Sequence, residues 1–330
     1  MLNILKICRY KNLLFTALIP ILIYFAVIVP LLQKYGLEPL LPTWIFWLTV
    51  FGTVLICAGG YVINDYFDVK IDRINRPDEV IAGVAISKKA TMTLYLVLSG
   101  TGIFAGILSA FFLKNTTLGF IFVIVPGMLW FYSSSYKRQF LLGNIIVSIC
   151  AALVPMLVLV AEAGLQTDAF GTLLAETPVL KTLYIWVCGF ATFAFAFTLI
   201  REIIKDMEDI EGDREMECRT LPIVWGEKNA KIIVTVLLSI VFIALMTIVF
   251  VVPNLDSGLM PRLLRIAITI AVFIVFWCLW WAKTENVNRY KVAGNFIKII
   301  MFLGLLYSLV VNYMLTIEFG VAFLGIFKLI

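Results

Sequence analysis

Six aspartates in two short stretches stand out for the chemistry they could do. Residues 64–72 read NDYFDVKID and residues 205–213 read KDMEDIEGD. Asp65, Asp68 and Asp72 in the first, and Asp206, Asp209 and Asp213 in the second, share the spacing D-x-x-D-x-x-x-D, and each stretch runs on into Asp-Arg. Spacings of three and four put these carboxylates on one face of a helix. Like charges so placed repel and destabilise the helix unless something positive lies among them. A divalent cation meets that need. Aspartate oxygens are hard ligands suited to Mg2+ or Mn2+, and Mg2+ commonly takes one or two carboxylates and fills its other positions with substrate phosphates and water. Two such clusters face to face could hold two metal ions with a diphosphate between them.

The neighbouring bases fit that chemistry. Lys70, Arg73 and Arg76 follow the first cluster, and Arg201, Lys205 and Arg214 flank the second. All lie within one or two helical turns of an aspartate and could pair with phosphate oxygens, which arginine does in a bidentate way. Gly212 would let the chain bend inside the second cluster. Charged loops that merely solvate helix ends would also look like this once. Two copies at matched spacing, each at the end of an apolar segment, point instead to a site, because ionisable groups clustered at a membrane are functional by default.

The elements that must carry these residues are membrane helices. The 330 residues are 62% hydrophobic and 14% charged, far from the balance of a soluble domain. Nine apolar segments of spanning length are expected, at about 12–33, 43–64, 90–113, 117–135, 141–162, 182–203, 229–252, 262–282 and 292–317. The stretch 163–181 carries Gly164, Asp168, Gly171 and Pro178 and reads as a loop. The pattern is continuous, so a single all-α domain over 1–330 is expected. Two related halves of about four helices each, plus one extra helix, would account for the repeated motif. Most of the 26 Lys and Arg fall in alternate connections. That puts the N-terminus and both aspartate clusters in the cytoplasm and the C-terminus outside. The same bias explains the net charge of +5 without nucleic acid, for which no motif is present.

Absent residues narrow the chemistry further. The chain has no histidine, which removes a Ser-His-Asp triad, a histidine-ligated haem and an H-E-x-x-H metal site. Its six cysteines are scattered with no C-x-x-C pair, which argues against disulfides and zinc or iron–sulfur centres. The basic, apolar N-terminus is read as a retained first helix, since its apolar run is too long for a signal peptide.

These motifs resemble a known family. NDYFDVKID is similar to the N-D-x-x-D-x-x-x-D motif of the UbiA-type intramembrane prenyltransferases, and KDMEDIEGDRE to their second aspartate motif. YSSSYKRQFLLGN, residues 132–144, resembles a third segment of that family. The resemblance covers essentially the whole chain. It implies a helical barrel whose central cavity takes a polyprenyl diphosphate through Mg2+, with two ions expected. By the matching positions, Asn64, Asp65 and Asp68 would hold one ion, and Asp206 with Asp209 or Asp213 the other. Asp72 would close the first motif. Lys137 and Arg138 would contact the diphosphate, Tyr132 would face the cavity near the reacting carbon, and Asn12 is a further candidate, beside Arg9 at the start of the first helix. The chain departs from the family in NRPDEVIAGVAIS, where Asp78 and Glu79 add negative charge and Val84 stands where a base is usual.

The second motif resembles the branch that includes digeranylgeranylglyceryl phosphate synthases, so the acceptor expected is an alcohol such as geranylgeranylglyceryl phosphate. The alternative is an aromatic precursor of quinone or tocopherol type. Membrane lipid is the expected surround. In the implied reaction an allylic diphosphate ionises, metal and bases stabilise the leaving group, and apolar and aromatic helices keep the cation from water. Of Phe190, Phe193, Phe195 and Phe197, only some can face a cavity at helical spacing. A rival of another class is an ion-coupled transporter. Its acids would lie near the bilayer midplane, whereas these lie at helix ends beside bases.

Overall fold

The apolar segments fold as helices, and the helices outrun the apolar runs at the ends that matter. A computed structural model describes residues 2–251, 259–281 and 289–324. Among these residues nine long helices follow one another. They are α1 (Tyr10–Lys34), α2 (Thr43–Asn75), α3 (Lys88–Phe112), α4 (Thr116–Ser134), α5 (Leu142–Phe170), α6 (Val179–Glu208), α7 (Glu227–Val251), α8 (Leu259–Trp281) and α9 (Arg289–Phe319). Eight of them are long and apolar enough to cross a membrane, and α8 contributes a shorter apolar stretch, Arg265–Trp281. The outward faces carry large apolar side chains such as Phe104, Phe111, Phe120, Ile185 and Ile243, a surface that hydrocarbon rather than water would cover.

The order is that expected of two halves, α1–α4 and α5–α8, with α9 added. The aspartate motifs occupy equivalent places, at the C-terminal ends of α2 and α6. α1 is not uniform. Ile23–Ile28 widens into a π-helical turn directly before Pro30, whose ring lacks the N–H an ordinary turn would use.

Close packing in the first half depends on small residues. A Cβ on Gly102 would stand 3.0 Å from the Gly52 carbonyl of α2, and one on Gly106 would stand 1.9 Å from Cγ of the buried Phe122 of α4. Glycine there lets the helix backbones approach, the usual basis of helix association where water does not drive it. Gly106→Ala should therefore destabilise the protein by about 1–3 kcal/mol. Gly100→Ala, at a position open to space, should not, and thermal unfolding in detergent compares the two.

Two expectations change. The stretch 163–181 is mostly helix, because α5 continues to Phe170 and breaks only at Gly171, whose φ is +53°. Gly164 lies inside that helix against the Asn115 side chain, which donates to the Val160 carbonyl at 2.9 Å. Nor is Gly212 the bend of the second motif. The chain leaves α6 at Asp209 (φ −96°, ψ 11°) and resumes as a short helix, Ile210–Glu215, with Gly212 in its middle.

Candidate active site

Three segments bring the aspartates together. α2 runs about three turns past its apolar part, so Asp65, Asp68 and Asp72 stand on one helix. α6 ends at Asp209, leaving Asp206 in its last turn and Asp213 on the short helix beyond. The two ends are tied by Asn75 and Arg76. The Asn75 amide donates to the Asp209 carbonyl at 3.2 Å and its oxygen accepts from the Gly212 N–H at 2.9 Å. Arg76 reaches Asp209 at 2.7 Å and Glu208 at 3.3 Å. A Cβ on Gly212 would come within 2.6 Å of Asn75, so this glycine serves a close approach of the two motifs.

The third segment is the turn between α4 and α5. Gly143 lets the first turn of α5 press on the Lys137 backbone, where a Cβ would meet Cα at 2.6 Å. Lys137 is thereby placed in a salt bridge with the buried Asp68. Asn144, one residue on, donates to Asp206 Oδ2 at 2.8 Å. From the N-terminal side, Arg9 sits in the left-handed region (φ 52°, ψ 54°) between the helix Leu2–Ile7 and α1. It reaches Asp65 at 2.9 Å while lying over the Tyr61 ring.

The electrostatics follow from many acids packed at one end of the bundle. Burial pushes the Asp213 carboxyl up to about 6, against the pull of Lys137. Burial opposes the charge on Lys137 and on Arg76, yet both are held above the ordinary range by the acids beside them, Asp68 for one and Asp209 for the other. Arg9, Arg76 and Lys137 are thus each matched to an acid, and the crowding of carboxylates at this end favours a further cation among them.

Below this cluster opens a cavity of about 440 Å3. Arg9, Asn12, Asn64, Tyr132, Arg201 and Lys205 line it near the aspartates, and Phe190 and Phe193 are among the apolar residues lining its depth. Phe197 is buried against Phe193 instead, at 4.5 Å between ring centroids.

The sequence candidates thus divide. Asn12, Asn64, Tyr132, Arg201 and Lys205 line the cavity, and Asp65, Asp68, Asp206, Asp209, Arg76 and Lys137 join in the pairs above. Asp72 and Asp213 belong to the same acid field, acting on Arg76 and Lys137 respectively. Arg138 is half-buried, and its carbonyl accepts from the Arg219 N–H at 2.8 Å. Lys70, Arg73 and Arg214 are exposed and lie outside the cavity lining. Asp78 and Glu79 are likewise exposed.

Several site residues escaped the sequence reading. Glu202 lines the cavity fully in register with the second motif, paired with Arg201 at 2.5 Å and accepting from the Tyr132 hydroxyl at 3.4 Å. Its spacing of four from Asp206 was the available signal. Asn144 closes the third family-like segment, YSSSYKRQFLLGN, whereas Asn75 and Tyr61 have no signature beyond type. Lys298, a charge inside an apolar segment, did carry one.

The donor set fits a Mg2+ ion. The side-chain oxygens Asn64 Oδ1 and Asp68 Oδ1 are buried without a hydrogen-bond partner, one helical turn apart on one face. Such acceptors are costly unless a cation meets them. Among the described residues no three acidic or cysteine side chains converge as a ready-made metal cage. The acids are drawn instead to Arg9, Arg76, Lys137 and Asn144. Mg2+ does not require a cage, since it completes its shell with phosphate and water.

The sequence profile of the UbiA prenyltransferase family matches residues 17–306. A digeranylgeranylglyceryl phosphate synthase from Methanosphaera stadtmanae is 31% identical over 253 residues, 76% of this chain and 84% of that protein. One from Pyrococcus furiosus is 36% identical over 199 residues, 59% of this chain, and the match spans only 60% of that relative's length. Among solved structures, a UbiA homologue from Archaeoglobus fulgidus bound to DMAPP and Mg2+ is 18% identical with a TM-score of 0.54, covering 94% of this chain and 99% of that one. A digeranylgeranylglyceryl phosphate synthase structure is 24% identical with a TM-score of 0.59, covering 94% and 97%. At those identities the structural likeness speaks for the fold.

Proposed function

Since the chain belongs to the UbiA prenyltransferase family, we propose that it transfers a geranylgeranyl group from its diphosphate to a lipid alcohol, geranylgeranylglyceryl phosphate or a close analogue, within the membrane. The observation that carries this reading is a cavity polar at the aspartate end and apolar in its depth. From Lys205 to Phe190, both in its wall, the rise along α6 is about 22 Å, the reach of a long prenyl chain rather than a five-carbon one. The curated relatives above, digeranylgeranylglyceryl phosphate synthases, support the lipid alcohol over an aromatic acceptor.

The residues divide the work. Lys137, Lys205 and Arg9 offer positive charge to the diphosphate at the mouth, favouring departure of the leaving group. Asn64, Asp65 and Asp68 on one side, and Asp206, Asp209 and Asp213 on the other, would hold two Mg2+ ions, which when bound neutralise diphosphate oxygens. Tyr132 and Tyr61 present aromatic faces near the allylic carbon. The apolar walls exclude water, which would otherwise capture the cation. A bond forms between the acceptor oxygen and the allylic carbon as the carbon–diphosphate bond breaks, and the hydroxyl proton passes to a carboxylate or the released diphosphate. The Lys and Arg bias of the connections favours a mouth that faces the cytoplasm.

The test is turnover in nanodiscs with labelled geranylgeranyl diphosphate. Labelled ether lipid is expected with geranylgeranylglyceryl phosphate, none with a homogentisate-type aromatic acceptor, and none with EDTA until Mg2+ is restored. Product on the aromatic acceptor alone would overturn the acceptor assignment. Undiminished turnover in EDTA would overturn the metal site.

A further inference from the structure

Lys298 is a charge where the apolar pattern of α9 calls for none, and no step above uses it. It lines the cavity. Its ammonium donates to Asn295 Oδ1 at 3.2 Å. Arg9, Arg76, Lys137 and Arg201 each have a carboxylate partner, whereas among the described residues none lies at ion-pair distance from Lys298. The charged groups that act on it most are three cations, Arg201, Arg9 and Arg76, and one acid, Glu208. Lys298 is thus an exposed ammonium on the cavity wall with no carboxylate of its own to neutralise it, and such a charge attracts an anion.

Its height in the bundle says which anion. α9 runs antiparallel along α6. A Cβ on Gly294 would stand 3.9 Å from Ile204, and one on Gly304 would stand 2.3 Å from the Phe193 ring. Between those contacts the backbone of Lys298 falls level with Ile200 and Arg201, about 9 Å of helix rise deeper than that of Asp206 and about 13 Å deeper than that of Asp209. A diphosphate held between the two aspartate motifs leaves Lys298 to the other substrate. Helical side chains lean toward their helix N-terminus. Lys298 therefore leans toward the mouth, and Arg201, on the antiparallel helix, leans down toward it. Arg201, though paired with Glu202, keeps further N–H donors.

We propose that Lys298, with Arg201 opposite, forms a subsite for the phosphomonoester head group of the acceptor lipid, separate from the diphosphate site. The proposal rests on the lipid-alcohol reading of the acceptor. It makes Lys298 a specificity-determining residue, one that recognises an acceptor carrying a phosphate.

Lys298→Met and Lys298→Arg, in nanodiscs with geranylgeranyl diphosphate and Mg2+, test it against two acceptors: geranylgeranylglyceryl phosphate and the phosphate-free geranylgeranylglycerol. Lys298→Met should raise KM for the phosphorylated acceptor about 10- to 100-fold. It should leave KM for geranylgeranyl diphosphate, and turnover of the phosphate-free acceptor, unchanged. Lys298→Arg should restore most of the loss. Direct binding of geranylgeranyl diphosphate to the Met variant shows that the variant is folded. A raised KM for the diphosphate, an equal effect on both acceptors, or no effect on either would each overturn the assignment. Failure of the lipid-acceptor reading is seen in the wild type alone, as no product from either glycerol lipid, and is thereby distinct from failure of Lys298.

Discussion

Asp68→Asn should lower prenyl transfer by about a thousandfold, the scale of removing a group that stabilises leaving-group charge, and should abolish Mg2+-dependent binding of geranylgeranyl diphosphate. Asp68 is buried on the first motif with one oxygen on Lys137 and the other without a partner. Asparagine keeps the shape and removes the charge that both the lysine and a metal ion require. Lys137 is then left buried without its counter-charge, and breaking a buried pair from one side costs about 3–5 kcal/mol. The melting temperature of the metal-free protein should therefore fall with activity. The double variant Asp68→Asn/Lys137→Met separates the two effects: stability should partly return, because no charge is left unpaired, while activity should not. Activity that recovered together with stability would mean that the pair is structural.

Glu162→Ala should destabilise the protein strongly and should leave the mouth untouched. Glu162 is fully buried on α5. It accepts from the Tyr24 hydroxyl at 3.0 Å, the Leu40 and Leu41 N–H groups at 2.8 and 2.9 Å, and the Gln166 amide at 2.7 Å. One carboxylate thus holds the connection between α1 and α2 against α5. Each buried donor left unmade costs about 1–3 kcal/mol, so a loss of several kcal/mol is expected, read as a lowered melting temperature. Glu162 lies about 27 Å along α5 from Asn144 of the site. The folded fraction should therefore bind geranylgeranyl diphosphate with unchanged affinity. A loss of affinity in that fraction would show that the far end of the bundle is coupled to the mouth.

Neither prediction was equally visible in the sequence. Asp68 announces itself by repetition, since its motif recurs at Asp206–Asp213 with the same spacing. Glu162 sits among Val158, Leu159 and Ala161 with only Gln166 as a partner nearby in sequence, and three of its four donors come from residues more than a hundred positions away. The same holds for the bases. Lys70, Arg73 and Arg214 lie near aspartates along the chain, yet they project from exposed helix faces. Arg9, whose partner Asp65 is 56 residues away, stands at the acids because the chain turns at a left-handed residue. Nearness in sequence finds the face of one helix, and it says nothing of what a neighbouring helix presents to that face.

Sequence by itself determined the class of molecule, the run of apolar helices, the paired aspartate motifs and the family. The first three follow from composition, period and spacing within single segments, which a chain carries before it folds, and the family from the resemblance of its motifs. Tertiary structure alone decided that Asn75 and Arg76 lock the two motifs together, that Lys137 and Asn144 reach opposite motifs from one turn, and that Lys298 lines the cavity. Each of these depends on the register of one helix against another. That register is set by where glycines permit close approach and where buried polar groups find partners, a balance struck only in the assembled bundle.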